Sequence, residues 1–388
     1  MVKKFILKEG YLMDINIEEL SQLNEVKITA IGVGGGGSNA INHLSIHGVY
    51  NTINLVAINT DKQHLDKTES HVKLLIGEKI TRGFGAGMDP SIGQKSAEES
   101  YEQIKDIIKD SNIVFIATGL GGGTGTGASP VVAKAAKDIG ALTIAVVTKP
   151  FKFEGERKEE VAEKGIRELK EFVDAIIVVP NEKLLATVDK KLGMRDAFKL
   201  VDNILAQALN GVSSIILNSS GGGINADYAD LERVMQHKGL ALIGVGNKTG
   251  EDSAIEAVKE ALESPLLDNI DIKGCKGAIL YYEINENYPI YAIPNANELI
   301  QHKLDPNGIF KFAYSFNNEI QDDQIKATLV VTGFEKEVVV KEPNENNNSV
   351  NIKNATPQSI RLRRVSGSNE SLFEGDLETP SFLRNQRD

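Results

Sequence analysis

The chain has 388 residues, 41% of them hydrophobic, a net charge of −11 and one cysteine. That length and apolar content allow two domains with packed cores, and the acidic balance argues against nucleic acid as a partner of the folded part. A lone Cys275 excludes an internal disulfide, fits a reducing cytoplasm, and reads after Gly274 as a small buried or half-buried filler, not a nucleophile.

Residues 1–24 read as a polar, weakly patterned extension. The start, Met1 to Lys8, carries basic residues and a run of only three apolar ones, Phe5 to Leu7, far short of a signal-peptide core, and no stretch of the chain reads as long enough to span a bilayer. The expectation is a cytoplasmic protein. A strand over 26–31 is followed by Gly32-Val33-Gly34-Gly35-Gly36-Gly37-Ser38-Asn39 and a helix through Ile41, Leu44 and Ile46 to Gly48. His43 and His47 share a face of that helix, but no third metal ligand is apparent nearby. Gly32, Gly34 and Gly37 match the dinucleotide fingerprint, with Asp61 after the next strand (55–58) as a ribose-binding acid. This keeps an NAD-linked oxidoreductase open as an alternative.

Further strands are expected at 72–76 and 113–117. The second of these leads into Gly121-Gly122-Gly123-Thr124-Gly125-Thr126-Gly127 and a helix carrying Val131, Val132, Ala135, Ala136 and Ile139, which Gly140 can stop. So glycine-rich a run between two well-patterned elements brings backbone N–H groups close to a ligand, and a phosphate at a helix N-terminus is the commonest such ligand. The interleaved hydroxyls of Thr124 and Thr126 add side-chain donors. A Walker-type Gly-Lys-Ser/Thr ending is absent from the sequence. Two glycine turns, each after a parallel-type strand, suggest one nucleotide at the carboxyl edge of one sheet.

Strands at 142–147 and 175–179 complete an alternation typical of a parallel sheet with helices on both faces. A long helical pattern then runs over 195–217. Phe198 and Asp202 lie four apart on it, readable as a core aromatic beside a solvated acid. After Asn218 comes Ser-Ser-Gly-Gly-Gly, then Asn225, Asp227 and Asp230 at the start of a helix. The two aspartates are spaced as N-cap and N3, a cap worth about 1 kcal/mol. Equally, a carboxylate pair at such a junction can orient water for attack on a phosphate, with Asn225 helping. A helix of about 30 Å separates this junction from the glycine turns if they lie at its opposite ends, so the pair would serve a second subunit. A head-to-tail contact that does not close makes a filament.

Beyond the junction, strands are expected at 240–245, 278–284, 309–316 and 325–332, with helices near 251–263 and 295–304. The short polar link between the last two strands predicts that they pair antiparallel within a smaller α+β half. From about Lys341 the composition is polar and low in aromatics, which reads as a disordered linker. The final residues regain Phe382, Leu383, Arg384 and Arg387, a composition suited to a peptide that folds into a partner's groove or to a frayed terminus.

Gly121 to Gly127 resembles the glycine-threonine signature of the tubulin superfamily, and the chain resembles the FtsZ family of bacterial division GTPases over about 27–333 and again at Pro380-Ser-Phe-Leu-Arg384. The resemblance implies a Rossmann-like α/β GTPase domain, a long central helix and a smaller α+β domain. It divides the chain into an extension (1–24), a GTP-binding domain (25–194), a central helix (195–218), a C-terminal domain with a synergy loop (219–340), a linker (341–371) and an adaptor-binding peptide (372–388).

Carried over by position, Gly35, Gly36, Gly37, Ser38 and Asn39 would line the α- and β-phosphates of GTP or GDP, and Gly122, Gly123, Thr124, Gly125, Thr126 and Gly127 would complete the cradle. Ala86 and Gly87 would approach the γ-phosphate, Glu154 the ribose, and Phe198 and Asp202 the guanine. Asn225, Asp227 and Asp230 would enter the neighbouring subunit's site. Lys158 stands where the family usually carries arginine, with Arg157 adjacent, and loses the bidentate fork. The implied activity is assembly-activated GTP hydrolysis, with Mg²⁺ or another cation screening the phosphates. Implied partners are further copies of the chain, head to tail, and membrane adaptors such as FtsA at the terminal peptide, without direct membrane insertion, at the midcell ring beneath the inner membrane. A non-hydrolysing structural filament is the other alternative.

Overall fold

The computed structural model describes residues 2–6, 12–16, 26–47, 52–187, 193–217, 224, 226–237, 239–264 and 272–334. The expected linker, the terminal peptide and Asn225 lie outside the described residues. Within the N-terminal extension, β1 (Val2–Ile6) and β2 (Leu12–Asn16) pair as an antiparallel hairpin. The sequence reading missed it because Lys3-Lys4 in one strand and Asp14 in the other blur the period-2 alternation.

The remaining strands are β3 (Ile28–Val33), β4 (Ile53–Asn59), β5 (Val72–Leu75), β6 (Ile113–Gly119), β7 (Leu142–Lys149), β8 (Ala175–Pro180), β9 (Gly239–Thr249), β10 (Cys275–Ile284), β11 (Leu304–Phe316) and β12 (Gln324–Thr332). They form one sheet in the order β11-β10-β12-β9-β8-β7-β6-β3-β4-β5. The helices are α1 (Gly34–His47), α2 (Lys62–Lys67), α3 (Glu78–Thr81), α4 (Pro90–Glu99), α5 (Tyr101–Ile108), α6 (Gly123–Asp138), α7 (Glu156–Leu169), α8 (Asn181–Thr187), α9 (Met194–Leu217), α10 (Tyr228–Met235), α11 (Ser253–Leu262) and α12 (Ile293–Gln301). α6 stops before Gly140, which takes a left-handed φ of +80°.

From β5 to β8 every neighbouring pair is parallel, and β8 continues parallel into β9 through Ala175 opposite Gly239 and Ile176 opposite Leu240. Strands buried on both faces need apolar residues at every position, and β6 supplies them. Ile113, Phe115 and Ala117 enter one core with α1 and α9, while Val114 and Ile116 enter the other with α6 and α7. A third core joins β9, β10 and β12 to α11 and α12.

Two expectations fail. β11 and β12 do not pair: β10 lies between them, parallel to β11 and antiparallel to β12. The seven-residue link is long enough to cross one strand, and the nearly fully buried β10 takes the central place. By length and composition, α9 also reaches what a bilayer crossing needs; its apolar residues instead fill the core between the sheet and α1. Within that core Ile215 is 1% exposed. Ile215→Ala is expected to remove about 2–5 kcal/mol, lowering the thermal midpoint by several degrees; an unchanged midpoint would contradict its place in the core.

Candidate functional site

Both glycine runs prove to be the first turns of helices rather than loops ahead of them. β3 passes into α1 at Gly34, and β6 is followed by α6 from Gly123. The opening N–H groups of each helix have no intrahelical acceptor, and the helix dipoles add partial positive charge, so two anion-binding ends are set side by side. Close packing accounts for several glycines. A Cβ at Gly37 would fall 2.2 Å from the Ala117 carbonyl oxygen, and one at Gly127 1.9 Å from that of Pro90. Gly122, in contrast, faces open space, and Gly121 holds a φ of +98° that glycine alone adopts easily.

The threonines serve the turn itself. Thr126 Oγ1 is buried and accepts from the Gly121 N–H at 2.9 Å, and Thr124 Oγ1 shares a hydrogen bond with Thr60 Oγ1 at 2.7 Å. Neither is among the residues that line the adjoining cleft. That cleft, about 260 Å³, is bounded by Gly36 and Asn39 of α1, Gly121, Gly122, Glu154, Lys158, Phe198 and Asp202 among the expected residues. Gly35, Gly37, Ser38, Gly123 and Gly125 belong to the same turns without lining it; the Ser38 hydroxyl is buried there without a hydrogen-bond partner.

Phe198 is 40% exposed and meets the buried Phe151 in a T-shaped contact with ring centroids 5.3 Å apart, which braces the ring on one side while leaving part of it open. One turn along α9, burial raises the Asp202 carboxyl to about 6. Asn181 completes this end. It is 4% exposed, lines the cleft, and its Oδ1 has no hydrogen-bond partner. The sequence reading missed Asn181, whose only signal was a polar residue directly after β8.

Glu154 accepts from the Phe151 N–H at 3.0 Å and from Lys158 Nζ at 2.8 Å. Lys158 is therefore turned into the cleft while Arg157 is exposed. Ala86 is buried against the first turn of α6, where a Cβ on Gly123 would come within 2.9 Å of it. The exposed Gly87 belongs to a turn in which Arg82, Gly83, Gly85, Gly87 and Met88 all have positive φ. Asp61, the alternative ribose acid, instead caps α2 by accepting from the His64 N–H at 3.1 Å.

Asp227 and Asp230 lie elsewhere. They form the expected reciprocal cap of α10, the Asp230 N–H donating to Asp227 Oδ1 at 2.8 Å and the Asp227 N–H to Asp230 Oδ2 at 3.3 Å. The neighbouring Tyr228 hydroxyl donates to the Asn112 carbonyl, directly before β6 begins. The aspartates thus sit at the N-terminal ends of β3 and β6, and the glycine turns follow the C-terminal ends of the same strands. Strands of six and seven residues separate them by about 20 Å, and the 24-residue α9 spans about 36 Å between the two levels. Among the described residues no group of three His, Cys, Asp or Glu side chains is placed to hold a metal.

Residues 27–189 match the Tubulin/FtsZ family, GTPase domain, and residues 239–335 the FtsZ family, C-terminal domain. The chain is 42% identical over 396 residues to the cell division protein FtsZ of Helicobacter pylori strain J99, covering 100% of both chains. It superimposes on an FtsZ dimer structure from M. jannaschii with a TM-score of 0.75 and 42% identity, covering 82% of this chain and 91% of that one. A CetZ2 protofilament structure from Haloferax volcanii shares the fold at 17% identity, with a TM-score of 0.68 over 80% of this chain and 94% of that one.

The raised Asp202 carboxyl has a definite pH signature. With its folded pKa near 6 and an ordinary value of 3.8, the native state binds the extra proton between those limits, so this group's cost to stability grows as pH rises through that window. Titration followed by NMR is expected to place the Asp202 midpoint near 6 in the nucleotide-free protein, with Asp202→Asn flattening that part of the stability curve. A midpoint near 4 would contradict the burial.

Proposed function

The chain belongs to the FtsZ family of tubulin-like, cell-division cytoskeletal GTPases, and on that premise we propose how its two separated half-sites combine to hydrolyse GTP. The observation that carries the reading is their placement at opposite ends of one parallel sheet. No bending of a single molecule brings Asp227 to a phosphate held at Gly122, whereas stacking two copies head to tail does so at every contact.

In this reading the first turns of α1 and α6 bind the phosphates, through Gly35, Gly36, Gly37, Ser38 and Asn39 on one side and Gly122 to Gly127 on the other. The positive ends of both helix dipoles face the anion. Lys158 adds a cation at the cleft, Ala86 and Gly87 approach the γ-phosphate, and Glu154 accepts from the ribose hydroxyls. Guanine stacks on Phe198. The Asp202 carboxylate accepts from guanine N1–H and its amino group, a pair that adenine does not present, and the unpartnered Asn181 Oδ1 offers one further acceptor. Mg²⁺ would screen the phosphates, held mainly by their oxygens.

Asp227 and Asp230 of the next copy, with Asn225, orient a water on the γ-phosphorus. The water oxygen forms the new P–O bond, the bridging oxygen leaves with GDP, and the water proton passes to the released phosphate. Loss of the γ-phosphate removes part of the surface that the next copy reads, which weakens the contact. The dimer described for the M. jannaschii relative supports self-association. Residues 372–388 would bind membrane adaptors such as FtsA, holding the filament at a midcell ring beneath the inner membrane. The cap made by Asp61 leaves the dehydrogenase alternative without its ribose acid.

GTP turnover per molecule is expected to rise with protein concentration, and Asp227→Ala to lose most of it while still binding GTP. Turnover independent of concentration, or an undiminished Asp227→Ala, would contradict a shared site and favour a site within one copy. Asp202→Asn is expected to weaken GTP binding by about tenfold or more in equilibrium titrations while leaving ATP binding unaffected; equal affinity for GTP in wild type and variant would remove Asp202 from guanine recognition.

A further inference from the structure

Strand β11 has no role in the site described so far, yet it holds the segment that carries the carboxylates at two points. Lys311 Nζ lies 2.6 Å from Asp230 Oδ2. Three residues along the same strand, the Tyr314 N–H donates to the Ile224 carbonyl at 2.9 Å, immediately before Asn225. One strand at the edge of the sheet therefore grips the junction on both sides of Asp227.

The ion pair has little to do with stability. Both side chains are 32% exposed, and a lysine paired with a carboxylate in that setting contributes little after solvent screening and the loss of lysine rotamer freedom. Its effect is on orientation. Asp230 Oδ2 accepts from the Asp227 N–H on one side and from the Lys311 ammonium on the other, so the carboxylate is fixed at one oxygen from two directions. The Asp227 N–H alone, at 3.3 Å, is a long bond that leaves the group free to rotate about χ2.

We propose that Lys311 is a positioning residue for GTP hydrolysis, holding the Asp230 carboxylate in the orientation it needs before the neighbouring copy's nucleotide arrives. The inference rests on the reading of Asp230 as a water-orienting group. A carboxylate ordered in the free protomer loses no further freedom when two copies meet, and small misplacements of such a group cost rate rather than nucleotide affinity. Lys311 stands at the far end of the sheet from its own cleft, so its removal leaves GTP binding by the same copy untouched.

The test compares wild type, Lys311→Met, Lys311→Arg, Asp230→Asn and the Lys311→Met/Asp230→Asn double variant. GTP turnover is divided by the sedimented fraction, at protein concentrations where assembly is complete, with GTP affinity and circular dichroism as controls for folding. Lys311→Met is expected to lower turnover per assembled copy by about tenfold or more with KM for GTP unchanged. Lys311→Arg, which keeps charge and reach, should regain most of the loss, and Lys311→Met should add nothing once Asp230 is Asn. Wild-type turnover per assembled copy in Lys311→Met, with only a raised concentration for assembly, would overturn the proposal and make Lys311 a contact residue. Equal fractional losses in the wild-type and Asp230→Asn backgrounds would overturn it as well. An inactive Asp230→Asn beside a fully active Lys311→Met removes only the role of Lys311, whereas a fully active Asp230→Asn removes the reading of Asp230 itself and this proposal with it.

Discussion

A parallel sheet has two unlike ends, and the arrangement of this protein follows from that polarity. From β5 to β8 every strand points the same way, so the turns that enter helices α1 and α6 gather at one end and the returns to strand at the other. Helix N-termini and their unsatisfied N–H groups are thereby concentrated where an anion can bind. Helix α9 starts beside that end with Phe198 and Asp202 and carries the chain across the sheet. The cap of α10, next along the chain, has to sit at the opposite end. The separation of the glycine turns from the Asp227–Asp230 cap is therefore a property of the topology and does not depend on any single side chain.

Electrostatics and packing support the same division. Among the described residues, the glycine-turn end has two helix dipoles and Lys158, and its Glu154 is held by the Phe151 amide and by Lys158. The opposite end has two carboxylates, one of them paired with a lysine. Asp202 is the exception at that end: an acid whose burial is unfavourable in the nucleotide-free protein, and which the proposed guanine donors would compensate. Sites that keep such a cost in the free state gain specificity from the ligand that relieves it.

Much of this was legible in the sequence because local rules and global fold agree. All ten strands of the main sheet, the long α9 and the reciprocal cap of Asp227 and Asp230 follow from apolar periodicity and cap spacing. The features that escaped reading depended on contacts between distant residues. The Thr126 hydroxyl closes the turn on Gly121, a contact that carries no signature in the sequence. The order β11-β10-β12 was hidden because a short link suggests a hairpin, whereas burial decides which strand takes the centre. Asn181 and Lys311 carried no motif at all; each acquires meaning only from the groups that tertiary structure brings beside it.

The claim that hydrolysis needs two copies is tested most directly by mixing two variants that each lack one half. Asp227→Ala keeps the cleft and loses the carboxylate; Asp202→Ala, assayed at GTP concentrations below its own Kd, keeps the carboxylates and loses the proposed guanine contact. Each alone should hydrolyse GTP far more slowly than wild type. Mixed in equal amounts they should regain a substantial fraction of wild-type turnover, since an Asp202→Ala copy can present intact Asp227 to GTP held by an Asp227→Ala copy. Mixed assemblies that sediment together yet hydrolyse no faster than the sum of the two variants would contradict the account.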